Sequence, residues 1–177
     1  MATLILARHG ETDWNRNGIW QGHGDPPLND LGRRQAAELA DRLADVEIDV
    51  LYSSDLRRAY ETAEIIGGAK GLTITADPDL REVDVGSWSG LTTDEIQERF
   101  PEAVYHDGEA REAFHARAVS VLDRIARAHD GQRVLVVTHG GVVRALQRQL
   151  FGEPRGLFAN CEVAEFQYKD GAFAGLD

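Results

Sequence analysis

Two histidines in this chain stand where a strand would release its ligand-facing end. Leu4-Ile5-Leu6-Ala7 runs into Arg8-His9-Gly10-Glu11-Thr12, and Val134-Leu135-Val136-Val137 runs into Thr138-His139-Gly140-Gly141. An imidazole with a pKa of about 6.5 can act near neutral pH as a nucleophile, a proton carrier or a ligand. The glycine after each histidine would let the backbone turn sharply and let a ligand come close. A third cluster is Arg57-Arg58, in the first turn of a helix for which Ser53-Ser54-Asp55 is the expected N-cap region. Cations in a first turn oppose the helix dipole at a cost of about 0.3–1 kcal/mol each, which an anion held at that helix start would offset. Both arginines lie off the apolar face, so periodicity does not choose between them. A fourth feature is the glycine-punctuated stretch Leu80–Gly90, in which a carboxyl group could donate a proton or, more plainly, pair at the surface with Arg81.

These side chains need elements to bring them together. Buried strands are expected at Leu4–Ala7, Asp49–Tyr52 and Arg133–Val137, a further strand at Leu72–Thr75, and a half-buried one at Val163–Tyr168. Ala36, Leu39, Ala40 and Leu43 recur with helical spacing, as do Leu56, Ala59, Ala63 and Ile66; Phe114 to Ile125 and Val142 to Leu150 supply two further helices. Strands alternating with helices imply an α/β fold, a three-layer α/β/α sandwich around a largely parallel sheet. In such sheets ligands bind beyond the carboxyl ends of the strands. His9 and His139, 130 positions apart, would then meet at one edge.

The bulk properties exclude several classes. The chain has 177 residues with 30 Asp and Glu against 19 Lys and Arg, a formal net charge of −11. That length suits one domain, residues 1–177, with a core of its own. The acidic balance argues against nucleic acid as a partner, and apolar runs of four residues are far below the ~18 of a membrane span. The single cysteine, Cys161, leaves no intramolecular disulfide and fits a reducing, cytoplasmic setting.

Several blocks in order resemble the histidine phosphatase superfamily, in its phosphoglycerate-mutase-like branch. They are Arg8-His9-Gly10-Glu11-Thr12, Ser54 to Ala63, Leu80-Arg81-Glu82 with Gly86-Ser87-Trp88, and His139-Gly140-Gly141, with Asn15, Gln21-Gly22 and Asp25-Pro26-Pro27-Leu28 matching a pocket-lining stretch. The resemblance implies that His9 is the nucleophile, that Arg8, Arg58 and His139 clamp the phosphate, with His139 helping as a cation, and that Glu82 is the proton donor. It further implies that Asn15, Gln21, Gly22 and Gly140 contact the substrate. It calls for no cofactor and no metal, and for a small-molecule phosphate ester as partner of a monomer or homodimer.

Phosphoryl transfer suits these residue types. Charge spreads over the equatorial oxygens of the transferring group, so positioning and electrostatic stabilisation carry the catalysis. Planar guanidinium groups bind phosphate in two-pronged fashion. Hydrolysis is expected rather than mutase-type transfer, because family mutases carry a longer inserted cover and a basic residue after the acid, where this chain has Val83. A rim of Trp20, His23, Trp88, Tyr105 and His106 would be aromatic and weakly charged, suited to sugar- or nucleoside-type phosphates. The rivals are a metallohydrolase using His9, His139, Glu11 and Glu82, and a non-catalytic phosphometabolite-binding protein.

Overall fold

The computed structural model describes residues 1–102, 107–154 and 158–175. Its six strands are β1 (Ala2–Arg8), β2 (Val50–Ser53), β3 (Ile74–Ala76), β4 (Arg133–Thr138), β5 (Val163–Lys169) and β6 (Ala172–Gly175). Its helices are α1 (Asp13–Arg16), α2 (Asp30–Arg42), α3 (Arg57–Lys70), α4 (Thr93–Arg99), α5 (Arg111–Ala128) and α6 (Gly140–Phe151), with two short 3-10 turns at Pro78–Leu80 and Gly86–Trp88. The strands form one sheet in the order β3-β2-β4-β1-β5-β6. The first four are mutually parallel, whereas β5 and β6 are antiparallel to their neighbours. The expected α/β/α architecture is therefore present, with an antiparallel edge.

Strand alternation divides the core. Leu4, Leu6, Val134 and Val136 pack with the apolar faces of α5 and α6, while Ile5, Ala7, Leu135 and Val137 pack with α2 and α3. Each Leu, Ile or Val among these contributes about 1.5–3 kcal/mol on full burial. Because both faces of β1 and β4 are covered, these strands read as continuous apolar runs. They lie side by side in register, Arg8 opposite Thr138, and this brings the two His-Gly turns together.

Element boundaries differ from expectation where local chemistry intervenes. The strand expected at Leu72–Thr75 begins at Ile74, because α3 ends on a left-handed Gly71 and the Leu72 N–H donates back to Gly67 O. The hairpin β5–β6 went unanticipated, although its Asp170-Gly171 turn, with both residues at positive φ, is a standard signal. Ser53-Ser54-Asp55 does not cap α3. Leu56 occupies the N-cap position without a side-chain bond, and the Arg57 N–H instead donates to Asp25 Oδ1 at 2.7 Å. A carboxylate from a distant loop thus meets the helix dipole that Arg57 opposes. Asp55 is engaged elsewhere, by Arg81.

Candidate active site

Beyond the carboxyl ends of β1 and β4 lies a cavity of about 520 Å3, lined among others by Arg8, His9, Asn15, Gln21, Gly22, Arg58 and Glu82. His9 is 3% exposed and its ring lies 5.2 Å from that of His139, edge to face. The Nδ1 of His9 donates to its neighbour's carbonyl, Gly10 O, at 2.7 Å. That bond fixes the tautomer with Nε2 unprotonated. Burial, and then the charges of Arg58 and Arg8, hold the His9 pKa well below its ordinary value, so the ring is neutral and its Nε2 lone pair is available.

Arg58 resolves the choice that periodicity left open. It is 1% exposed, whereas Arg57 faces solvent. Its guanidinium donates to Gly24 O at 2.7 Å and Gly22 O at 2.8 Å, so it also fixes the loop that carries Gln21. Burial lowers its pKa to about 10, still a cation at neutral pH. Arg8 Nη1 donates to Phe158 O at 2.5 Å. The Nε of each arginine is buried without a partner among the described residues, an expensive arrangement unless an anion arrives.

His139 requires a correction. Burial first, and then Arg58, His9 and Arg8, keep its pKa well below the ordinary value, so it is a neutral ring rather than the expected cation. It shares a 2.9 Å hydrogen bond with Ser54 through Nε2, and Nδ1 is buried without a partner among the described residues. A neutral N–H donor there avoids placing a third positive charge beside two arginines.

Glu82 is not paired with Arg81, whose guanidinium holds Asp55. Its Oε1 accepts from the Val83 N–H and its Oε2 from the Gly141 N–H, both at 3.0 Å. The backbone of this loop is strutted from behind. Arg117 donates to Asp79 O, Arg81 O and Glu82 O and is itself paired with Glu109, and His23 Nε2 donates to Glu82 O at 2.9 Å. Thr138 Oγ1 donates to Leu80 O, tying the end of β4 to the same loop.

The glycines serve packing rather than ligand approach. A Cβ on Gly10 would lie 2.4 Å from Gly32 O, and one on Gly32 would lie 2.1 Å from Glu11 O, so helix α2 comes against the His9-Gly10 turn backbone to backbone. Neither Gly10, Gly140 nor Gly141 has a positive φ, so no left-handed turn is needed after either histidine. Gly140 does not line the cavity as expected; Gly141 does. Thr62 joins the two arms of the site, accepting from the Gly10 N–H and donating to Arg58 O.

The rim also departs from expectation. Trp20 and Trp88 line the cavity, but His23 is turned to Glu82 O, and Tyr105 and His106 lie outside the described residues. The cavity lining also includes Arg111, His115, Arg144 and Arg148. It is strongly basic, not weakly charged. Asn160, also not singled out from the sequence, donates to His9 O at 2.9 Å. The ligand set of a metallohydrolase is not assembled: Glu11 lines a separate depression and accepts from Asn29. Among the described residues no three His, Cys, Asp or Glu side chains gather as a metal-binding group.

A model of the histidine phosphatase superfamily (branch 1) matches residues 4–176, and the chain belongs to that superfamily. It is 39% identical to phosphoglycerate mutase-like protein 4 of Arabidopsis thaliana, over 96% of this chain and 81% of that protein. It is 36% identical to phosphoserine phosphatase 1 of Hydrogenobacter thermophilus, over 86% of this chain and 77% of that one. Among solved structures, YhfR of Bacillus stearothermophilus superposes with a TM-score of 0.93 at 34% identity, covering 99% of this chain and 95% of that one. A mycobacterial glucosyl-3-phosphoglycerate phosphatase, in complex with VO3, gives 0.85 at 32%, covering 96% and 93%. The fold is that of the phosphoglycerate mutase-like histidine phosphatases.

Proposed function

We propose that this chain is a phosphomonoesterase that hydrolyses small organic phosphates through a phosphohistidine on His9. One observation carries the reading: a buried, neutral His9, with Nδ1 spent on Gly10 O, shares a cavity with the guanidinium groups of Arg8 and Arg58 and the carboxyl group of Glu82. Nε2 attacks phosphorus in line as the ester P–O bond breaks, and the departing alkoxide takes a proton from Glu82. Glu82, now a carboxylate, then removes a proton from water, whose oxygen displaces the phosphoryl group from Nε2. Phosphate leaves, and both side chains return to their starting forms. Arg8 and Arg58 hold the equatorial oxygens throughout, and His139 donates a hydrogen bond to the same group. Asn15 and Gln21 complete the clamp's open side.

Hydrolysis is favoured over transfer to a second acceptor. Val83 lines the cavity at the position where the family's mutases carry a basic residue, and few residues separate Pro101 from α5. The same reading takes residues 1–177 as one catalytic domain, monomeric or homodimeric, working in the cytoplasm on small-molecule esters. The continuous sheet, the acidic balance and the lone cysteine support it. The test is phosphate release from a panel of phosphomonoesters in the presence of a chelator. Turnover that persists with chelator and is lost in His9→Ala supports the assignment; turnover that survives His9→Ala contradicts it.

A further inference from the structure

The two histidines at the strand ends engage opposite ring nitrogens. His9 uses Nδ1, toward Gly10 O, whereas His139 uses Nε2, toward Ser54 Oγ at 2.9 Å, and its Nδ1 is buried without a partner among the described residues. Sheet register makes the second contact. Ser53 pairs with Val137 across β2 and β4, and the Ser54 N–H donates to Val137 O at 3.0 Å. The chain therefore leaves β2 alongside the turn that carries His139, 85 positions further on. Both residues are fully buried, so solvent does not mediate between them. A serine hydroxyl has one hydrogen to donate and lone pairs to accept with. Ser54 Oγ already accepts from the Leu56 N–H at 3.4 Å, and among the described residues the acceptor left for its own hydrogen is Nε2 of His139. The opposite arrangement, with an Nε2–H donating to Oγ, would strand the hydroxyl hydrogen in a buried place and leave Nδ1 as a bare lone pair. Two buried polar groups would then go unsatisfied.

We infer that Ser54 is a positioning residue: its hydroxyl donates to Nε2 of His139 and so holds the N–H of that ring on Nδ1, the atom that hydrogen-bonds the phosphoryl group. The contact with the phosphoryl group rests on the hydrolytic reading above; the tautomer does not. His9 and His139 then hold complementary forms of one side chain, the first with a free lone pair for phosphorus and the second with a free N–H for its oxygens. With the His139 tautomer reversed, Nδ1 would offer those oxygens a lone pair and repel them.

Long-range 1H–15N correlation spectra of the protein labelled with 15N at histidine, taken above neutral pH, separate a protonated ring nitrogen from an unprotonated one, and His139→Gln identifies the resonances. The unliganded wild type should show Nδ1 of His139 protonated and Nε2 not. In Ser54→Ala the proton should spread over both nitrogens. In Ser54→Cys, whose thiol is a weaker donor of similar shape, it should spread less. Ser53→Ala removes the neighbouring buried hydroxyl, which donates to Ser54 O, and should keep the wild-type pattern. A proton on Nε2 in the wild type, a pattern that Ser54→Ala does not move, or an equal change in Ser53→Ala overturns the role of Ser54. Inorganic phosphate added to the wild type should move the Nδ1 proton downfield, and the vanadate dissociation constant should rise about three- to tenfold in Ser54→Ala. A proton that phosphate leaves in place, or an unchanged vanadate constant, overturns the contact with the phosphoryl group. None of these measurements uses turnover. If no ester is hydrolysed, the hydrolytic reading fails, and the spectra still decide the tautomer.

Discussion

Gly141 and Glu82 are fitted to each other. The glycine N–H donates to Oε2 of the acid, and a Cβ on the glycine would lie 1.8 Å from Oε1. The absence of a side chain at this position of α6 is thus what lets the carboxyl group sit in the cavity that His9 lines. Arg117 and His23 hold the acid's backbone from the other side, so its freedom to retreat is small.

Gly141→Ala should therefore leave the fold intact, since the added carbon meets the ends of two side chains, Glu82 and, at 3.0 Å, Phe114, yet act like a displacement of Glu82. Hydrolysis of alkyl phosphates should fall by about a hundredfold or more, whereas esters with good leaving groups, such as p-nitrophenyl phosphate, lose far less. Glu82→Gln should give the same pattern. Equal losses on both ester types would mean that Glu82 does not protonate the leaving group.

Arg58 and Arg57 are adjacent but separable. Arg58→Ala should weaken binding of vanadate or phosphate by at least about tenfold, because a charged donor to an anion is worth more than a kilocalorie per mole. Arg57→Ala should change it by less than about twofold, since that side chain faces solvent. Titration calorimetry reads both. The reverse order would contradict the placement of Arg58 in the clamp.

Stability should depend on pH through the two site histidines. Both have folded pKa values well below 6.5, while the unfolded chain titrates near 6.5. Below that value the unfolded state binds more protons than the native one, so stability present above about pH 7 is lost as pH falls toward the folded pKa values. The slope approaches about 1.4 kcal/mol per pH unit for each histidine. Denaturant melts between pH 7.5 and 5.5 should give a shallower decline for His139→Gln than for the wild type. Parallel declines would mean that His139 is not held neutral.

The sequence made the centre of the site legible because its signals are local. Apolar runs covered on both faces mark β1 and β4, each ending at a histidine, and the cations at the start of α3 break a helix rule visible in the chain itself. The capping of α3 by Asp25 was hidden, because the bond spans 32 positions. His139 was expected as a cation because charge state depends on burial, which only the folded packing supplies. Arg144 and Arg148 carry no signal in the chain itself, since periodicity identifies the apolar side of α6 and says nothing about what its polar side confronts. The Gly10–Gly32 contact depends on where α2 lands, so in the chain alone the glycine after His9 has the appearance of an opening for ligand.

The central claim is that a phosphoryl group passes onto Nε2 of His9. Rapid quench of the enzyme with a 32P-labelled monoester measures this most directly. The account predicts an acid-labile, base-stable label that forms within the first turnover, maps to the peptide bearing His9 and is absent from His9→Ala. Steady turnover with no label on the protein, or a label on another residue, would contradict it.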